Sequence, residues 1–467
     1  MADLAVREKR AAKRGKGRPR NSEAAAPSLA AILNLVRTGR ATTRQEIERA
    51  SELGRAAVAD RLATLGELGL VDESELGEAS GGRAPRLVRF NEAAGHILVA
   101  TLDQTALGVA LSDLSGRLLI EHHEALDLTA PAEATIGRLE TLFDWLLERI
   151  EPTRPVWGTG ISMPGPVQSP PASGYLTDSP PLLPAWDGTP FVERLIARFA
   201  APVWLRSSVE TMAMGEAKAG EGVNAPHMLL VKVGKRIGAG LVVGGRLYRG
   251  ALGASGLIGQ LPVQANGRTG PLEVLAGSDA IAREGLVAAE AGRSPMLANV
   301  QKRTGAITAI DVGQAAQTGD PGAMEIMSHS GRLIGHTVAT LANMLNPSLI
   351  VLSGSIAQTN DILLAAVRET VYGESHPLVT RDLGICASRL GSSAGLVGAA
   401  AVVVDALFEP GHLRSWILNG TPIAAPDFIE LMRQARTICA SGKSQSRDAL
   451  APPATEGTSP AAQAGPD

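Results

Sequence analysis

Val156-Trp157-Gly158-Thr159-Gly160-Ile161-Ser162-Met163-Pro164-Gly165-Pro166 lies a third of the way along a chain of 467 residues. It reads as one strand, 156–163, stopped by the Pro-Gly-Pro that follows. Strands and helices alternate on both sides of it. Upstream, 97–102 and 108–111 read as the strands of a hairpin turned at Asp113-Leu114-Ser115-Gly116, and a helix follows from about 131 to 150. Downstream, strands at 203–205, 228–233 and 240–243 alternate with helices at 191–199 and 210–219. A long helix, roughly 323–345, stops at Asn346-Pro347 and runs into a buried strand at 349–352. Two halves of this kind predict an α/β body over 91–408, two-lobed and with a cleft between the lobes.

Composition sets the limits. Apolar residues make up 45% and charged residues 19%, which suits a large core and excludes global disorder. Aromatics are only 3%, so Leu, Val, Ile and Ala must build that core. Two cysteines, Cys386 and Cys439, exclude a disulfide framework and a four-thiolate zinc site. No apolar stretch approaches the ~18 residues of a membrane span, and the basic N-terminus lacks the apolar segment of a secretory signal. The expectation is a soluble, cytoplasmic protein with no membrane partner. Arg outnumbers Lys 36 to 8, which reads as the coding bias of a GC-rich genome.

The net charge of −3 is unevenly spread: residues 1–90 carry +5 and residues 91–467 carry −8. An anionic partner, commonly nucleic acid, is expected for the first part only. Residues 1–27 form a basic arm, read as disordered. In its Arg14-Gly15-Lys16-Gly17-Arg18-Pro19-Arg20 run, Arg18 and Arg20 flank a proline and can follow a narrow minor groove, as in the core of an AT-hook.

Residues 28–90 turn helical. Ser28 is placed to cap a helix whose apolar side is Leu29, Ile32, Leu33 and Val36. Thr42 or Thr43 caps a second, with Glu46 completing a capping box. A third follows the Ser51–Gly54 turn, with Val58, Leu62 and Leu65 at helical spacing. Leu70-Val71 then starts a strand, Gly81-Gly82-Arg83-Ala84-Pro85-Arg86 makes a polar excursion, and 87–90 return. Three short helices and a basic hairpin are a winged helix-turn-helix. Its third helix would enter the major groove with Arg55 at its start and Arg61 on its flank, kept slim by Ala56, Ala57 and Ala59. Arg44, Arg83 and Arg86 complete the expected DNA contacts, the last two on the wing. Past 408, residues 409–440 read as a helical extension and 441–467, rich in Ser, Ala and Pro, as a disordered tail.

Over residues 28–408 the chain resembles the ROK family of bacterial sugar kinases and sugar-responsive repressors. The resemblance rests on Gly158–Pro166, on Gly234 to Gly240 with Gly244-Gly245-Arg246-Leu247-Tyr248-Arg249-Gly250, on Leu345-Asn346-Pro347 with Val351-Leu352-Ser353-Gly354-Ser355, and on Gly395-Leu396-Val397-Gly398-Ala399-Ala400. It implies a winged helix-turn-helix followed by a two-lobed, actin-like (ribonuclease H-like) ROK domain.

The family's chemistry is mostly missing. Its kinases deprotonate the sugar with the Asp of an Asn-Asp pair, which here is Ser207-Ser208; serine at neutral pH cannot take that proton, so no catalytic residue is expected. Of the two phosphate loops, the first is Thr101-Leu102-Asp103-Gln104-Thr105, without its acid and glycines. The second is Gly234-Lys235-Arg236-Ile237-Gly238, with two long cations in the way. The zinc motifs shrink to Gly256-Leu257-Ile258-Gly259-Gln260 and Gly267-Arg268-Thr269-Gly270-Pro271-Leu272-Glu273. Neither cofactor nor metal is expected. At the family's sugar contacts stand Ser207, Leu257, Gln260 and Glu273, of which only Glu273 matches.

Two readings of the cleft stay open. Ser207, Ser208, Gln260 and Glu273 bind an altered effector, with Arg206, Lys235 or Arg236 supplying charge, or the cleft is vestigial. The expectation is a transcriptional repressor that binds operator DNA as a homodimer or dimer of dimers and answers to a sugar or other small molecule. The rivals are a sugar kinase with a fused DNA-binding head and a head that docks on protein.

Overall fold

The computed structural model describes residues 23–77, 86–150, 154–167, 190–265, 267–359 and 361–448. The head opens with α1 (Ala26–Arg37), which begins before Ser28. Pro27 lies in its first turn, and the Ser28 hydroxyl donates to the carbonyl of Ala25 at 2.8 Å instead of capping the helix. Helix α2 (Arg44–Ser51) carries the capping box: the Glu46 amide donates to Thr43 Oγ1, and the Glu46 carboxylate accepts from the Thr43 amide at 3.0 Å. Helix α3 (Arg55–Glu67) buries Val58, Leu62 and Leu65 against Leu29, Ile32, Leu33 and Ile47. Gly69, at φ +71°, turns the chain into β1 (Val71–Asp72), which pairs antiparallel with β2 (Arg89–Phe90). The amide of Val88 donates to the Thr42 carbonyl at 2.7 Å, docking the wing on the start of α2.

The body repeats one design twice. Strands β3 (His96–Leu102), β4 (Ala106–Ser112), β5 (Leu118–Ala125), β6 (Val156–Met163) and β7 (Val203–Ser207) form a sheet ordered β5-β4-β3-β6-β7. Strands β8 (Met228–Val233), β9 (Ile237–Val243), β10 (Arg246–Tyr248), β13 (Leu349–Ser353) and β14 (Gly384–Ala387) form a second, ordered β10-β9-β8-β13-β14. In each sheet the first three strands run antiparallel and the last two join parallel. Three strands in a meander followed by two crossovers is the ribonuclease H-like order, present here twice.

Helices α4 (Ala132–Leu147) and α5 (Phe191–Phe199) belong to the first lobe, and two further helices back the sheets where the lobes meet. Helix α6 (Ser208–Ala219) crosses α8 (Ala394–Leu407) at glycines: a Cβ on Gly398 would lie 1.6 Å from the Thr211 carbonyl oxygen, and one on Gly215 would lie 2.1 Å from that of Ala394. Helix α8 also lies on β6. A Cβ on Gly160 would meet the Ala399 carbonyl and one on Gly158 the Val403 side chain, each at 2.6 Å. The glycines of the strand quoted first are there so that a helix can lie against it.

Some expectations need correction. Asp113–Gly116 turns β4 into β5, not β3 into β4, whose turn is 103–105. Strand β5 was missed because Glu121, His122, His123 and Glu124 make half of this edge strand polar. Helices Ser278–Glu290, Pro295–Thr304 and Ala309–Gln317, in the insertion before α7 (Pro321–Leu345), were also missed. The C-terminal segment is part of the packing. In α9 (Pro410–Trp416), Trp416 meets Trp157 edge to face at 5.3 Å, and α10 (Pro426–Asp448) buries Phe428. Helix α10 therefore runs through 441–448, which composition had assigned to a disordered tail.

Candidate nucleic-acid interface and cleft

At the head, Arg55 is the first residue of α3 and is exposed together with Ala56 and Ala63. Arg86 is exposed at the base of the wing, bridged to Leu76. Arg44 grips Glu73 with two parallel hydrogen bonds of 2.8 and 2.5 Å, tying α2 to the wing while half its side chain stays in solvent. Arg61 is a correction. It turns inward at 22% side-chain exposure, donating to the Ser28 hydroxyl at 2.8 Å and to Asp60 at 2.7 Å, and so pins α3 to α1. Arg18, Arg20 and Arg83 lie outside the described residues.

The head is fastened to the body through Phe408, just past α8. The Phe408 ring meets Phe90 edge to face at 5.4 Å, the Arg37 guanidinium lies 4.6 Å over it, and its carbonyl accepts from Asn34 at 3.2 Å.

In the cleft, Ser207 ends β7 and Ser208 begins α6. The buried Ser207 amide donates to Glu210 at 2.9 Å, and the other oxygen of that buried carboxylate accepts from Arg249 Nε at 2.6 Å. Arg249 also donates to the Val167 carbonyl at 3.1 Å. Beside this group, burial and then the charge of Arg249 push the Arg206 guanidinium down to about 10, against the pull of Glu210. On the other side of β9, the buried Glu273 accepts from Arg236 at 2.5 Å, from Gln260 at 2.6 Å and from the Ile237 amide at 3.3 Å. Gln260 and Glu273 are thus brought together. Among the described residues no hydrogen bond joins that pair to Ser207 or Ser208; Val209 of α6 packs against Gly238 and Gly240 of β9 between them.

The remnants of the phosphate loops bear on nucleotide binding. Asp103 accepts from Lys232 Nζ at 2.7 Å. Burial would raise the Asp103 carboxyl, but the charge and hydrogen bond of Lys232 and the Gln104 amide outweigh it and hold it below its ordinary range. Lys235 lies 3.7 Å from Asp279, and Arg236 is bound to Glu273. Every cation here already faces a carboxylate of the chain. Where the resemblance places zinc cysteines, β11 (Pro262–Ala265) and β12 (Arg268–Pro271) close an antiparallel hairpin of four residue pairs. Among the described residues no three His, Cys, Asp or Glu side chains are grouped to hold a metal. Sequence reasoning missed Glu210, Arg249 and Lys232. The last had a legible signal, as the single charge in the apolar strand Met228–Val233.

The ROK family model matches residues 102–406. The chain belongs to the ROK family. A putative xylose repressor of Caldicellulosiruptor sp. (strain Rt8B.4) is 27% identical over 393 residues, covering 82% of this chain and 96% of the repressor. A glucokinase of Halalkalibacterium halodurans is 29% identical over 253 residues, 53% of this chain and 76% of the glucokinase. Among solved structures, a ROK family transcriptional regulator, homologue of the E. coli MLC protein, matches with a TM-score of 0.68 at 24% identity, covering 85% of this chain and 100% of its own. With a winged helix-turn-helix ahead of its ROK body, this ROK protein is a DNA-binding transcriptional regulator.

Proposed function

We propose that this ROK regulator is a repressor acting in the cytoplasm, that it binds its operator as a homodimer, and that a sugar or sugar-like effector in the cleft controls it without being phosphorylated. One observation carries the absence of kinase activity: Ser207-Ser208 stands at the junction of β7 and α6 where ROK kinases place Asn-Asp. Glu210, in the first turn of the same helix, has one oxygen on Arg249 and the other on the Ser207 amide, so it is not placed to take a proton from a substrate. Ser208, Gln260 and Glu273 offer hydroxyl, amide and carboxylate groups suited to a polyol. A dimer follows from specificity, since one short reading helix rarely discriminates enough and paired half-sites double the contacts. In the paired sites, Arg55 would read bases and Arg86 would meet phosphate. No single described helix is long and apolar enough to cross a membrane.

The test is a panel of pentoses and hexoses, xylose included because the Caldicellulosiruptor relative is named for it. Each sugar is assayed with ATP for phosphorylation and, separately, for release of operator DNA. The expected result is no phosphorylation and release by a subset of sugars. ATP-dependent phosphorylation that disappears in Ser208→Ala would overturn the reading and restore a kinase.

A further inference from the structure

Lys232 belongs to a strand whose apolar members are buried, and its own side chain is only 13% exposed. A buried ammonium needs a carboxylate. The one it takes is not in its own sheet: Lys232 is in β8 of the second sheet, and Asp103 is in the β3–β4 turn of the first. We propose that Asp103 and Lys232 form a latch between the two lobes, fixing the angle between them. The inference rests on the effector-controlled reading above and names the contact that an effector has to rearrange.

Both ends of the latch are anchored, so its pull reaches the lobes instead of being lost in loose loops. The Asp103 amide donates to the Ala106 carbonyl at 2.8 Å, and the Gln104 carbonyl accepts from Leu128 at 3.3 Å. Beyond β8, the Gly234 carbonyl accepts from the Ser278 amide at 3.0 Å, tying that turn to helix Ser278–Glu290. Asp103 is 45% exposed, so water and solutes reach its side of the pair. The latch is therefore openable, and opening it leaves the poorly solvated Lys232 as the uncompensated partner. The carboxylate also lies in the stretch that answers to the first phosphate loop. The anion held by Lys232 is thus the chain's own.

The test is hydrogen exchange in the full-length protein, read at the two turns, 103–105 and 234–236. Asp103→Asn and Lys232→Met are compared singly, together, and with the charge swap Asp103→Lys with Lys232→Asp. The latch predicts exchange faster by about threefold or more in both turns for either single variant, including the turn that was not mutated. It also predicts a double variant no faster than the singles, and recovery in the swap. Amides of α7, far from the pair in sequence, must keep their wild-type rates. Changes confined to the mutated turn, or additive in the double variant, would overturn the latch. Operator affinity measured on the same proteins keeps the two readings apart. Wild type that binds no operator would sink the regulator reading and leave the exchange data to decide the latch.

Discussion

Arg55 and Arg61 lie six residues apart on α3 and have different surroundings. Arg55 is exposed at the helix start, whereas Arg61 holds Ser28 and Asp60. Arg55→Ala should lower affinity for the operator by about 1–3 kcal/mol and leave random DNA nearly untouched. Arg86→Ala should weaken both and reduce the salt slope by about one. Arg61→Ala should leave the specificity ratio unchanged and lower head stability by about 1 kcal/mol, since it removes charge-assisted bonds within the fold. Binding isotherms on both DNAs, with a melting curve for each variant, check all three. The sequence could not separate these arginines. Helical spacing puts Arg61 on a flank, but only the packing of α3 on α1 decides that the flank faces Ser28. The capping box was legible because Thr43 and Glu46 satisfy each other locally, with no help from tertiary contacts.

Helix α8 joins the back of the cleft to the head. It crosses α6 at Gly398 and ends at Leu407, beside the Phe408 on which Arg37, Asn34 and Phe90 converge. Phe408→Ala should cost about 3 kcal/mol at this buried joint. In scanning calorimetry the head should then melt ahead of the body as a separate transition; a single unshifted transition would show that Phe408 does not hold the head. Elements with a clear apolar signal were readable from sequence, among them the continuous buried runs β6 and β8 and the amphipathic helix Phe191–Phe199. Those whose signal is weak were not. Strand β5 is half polar, and the helices Ser278–Glu290 and Ala309–Gln317 build most of their buried faces from Ala and Gly, so they bury little side-chain surface. The turn at Asp113–Gly116 was recognised as a turn and given to the wrong pair of strands, because local turn chemistry does not say which strands it joins.

Across the whole molecule, two copies of one sheet order face each other over a cleft, and a DNA-binding head is clamped to the first copy by the C-terminal helices. The cleft was legible as a series of substitutions in family motifs, and Gln260 and Glu273, thirteen residues apart, do touch. The internal use of its charges was not legible. Glu210 with Arg249, Glu273 with Arg236, and Asp103 with Lys232 are pairings between distant segments, which no local pattern records. A cleft whose charges are paired within the chain, in a protein that carries a winged helix-turn-helix and ahead of it a basic arm of net charge +5 over residues 1–27, makes regulation of DNA, not turnover of a substrate, the function to test. The most direct measurement is binding of the purified full-length chain to DNA from upstream of its own gene, against random DNA of equal length, at two salt concentrations. The account predicts a clear preference for the upstream DNA, with affinity for both falling steeply as salt rises. Equal affinity for the two DNAs, or no binding at either salt, would contradict it.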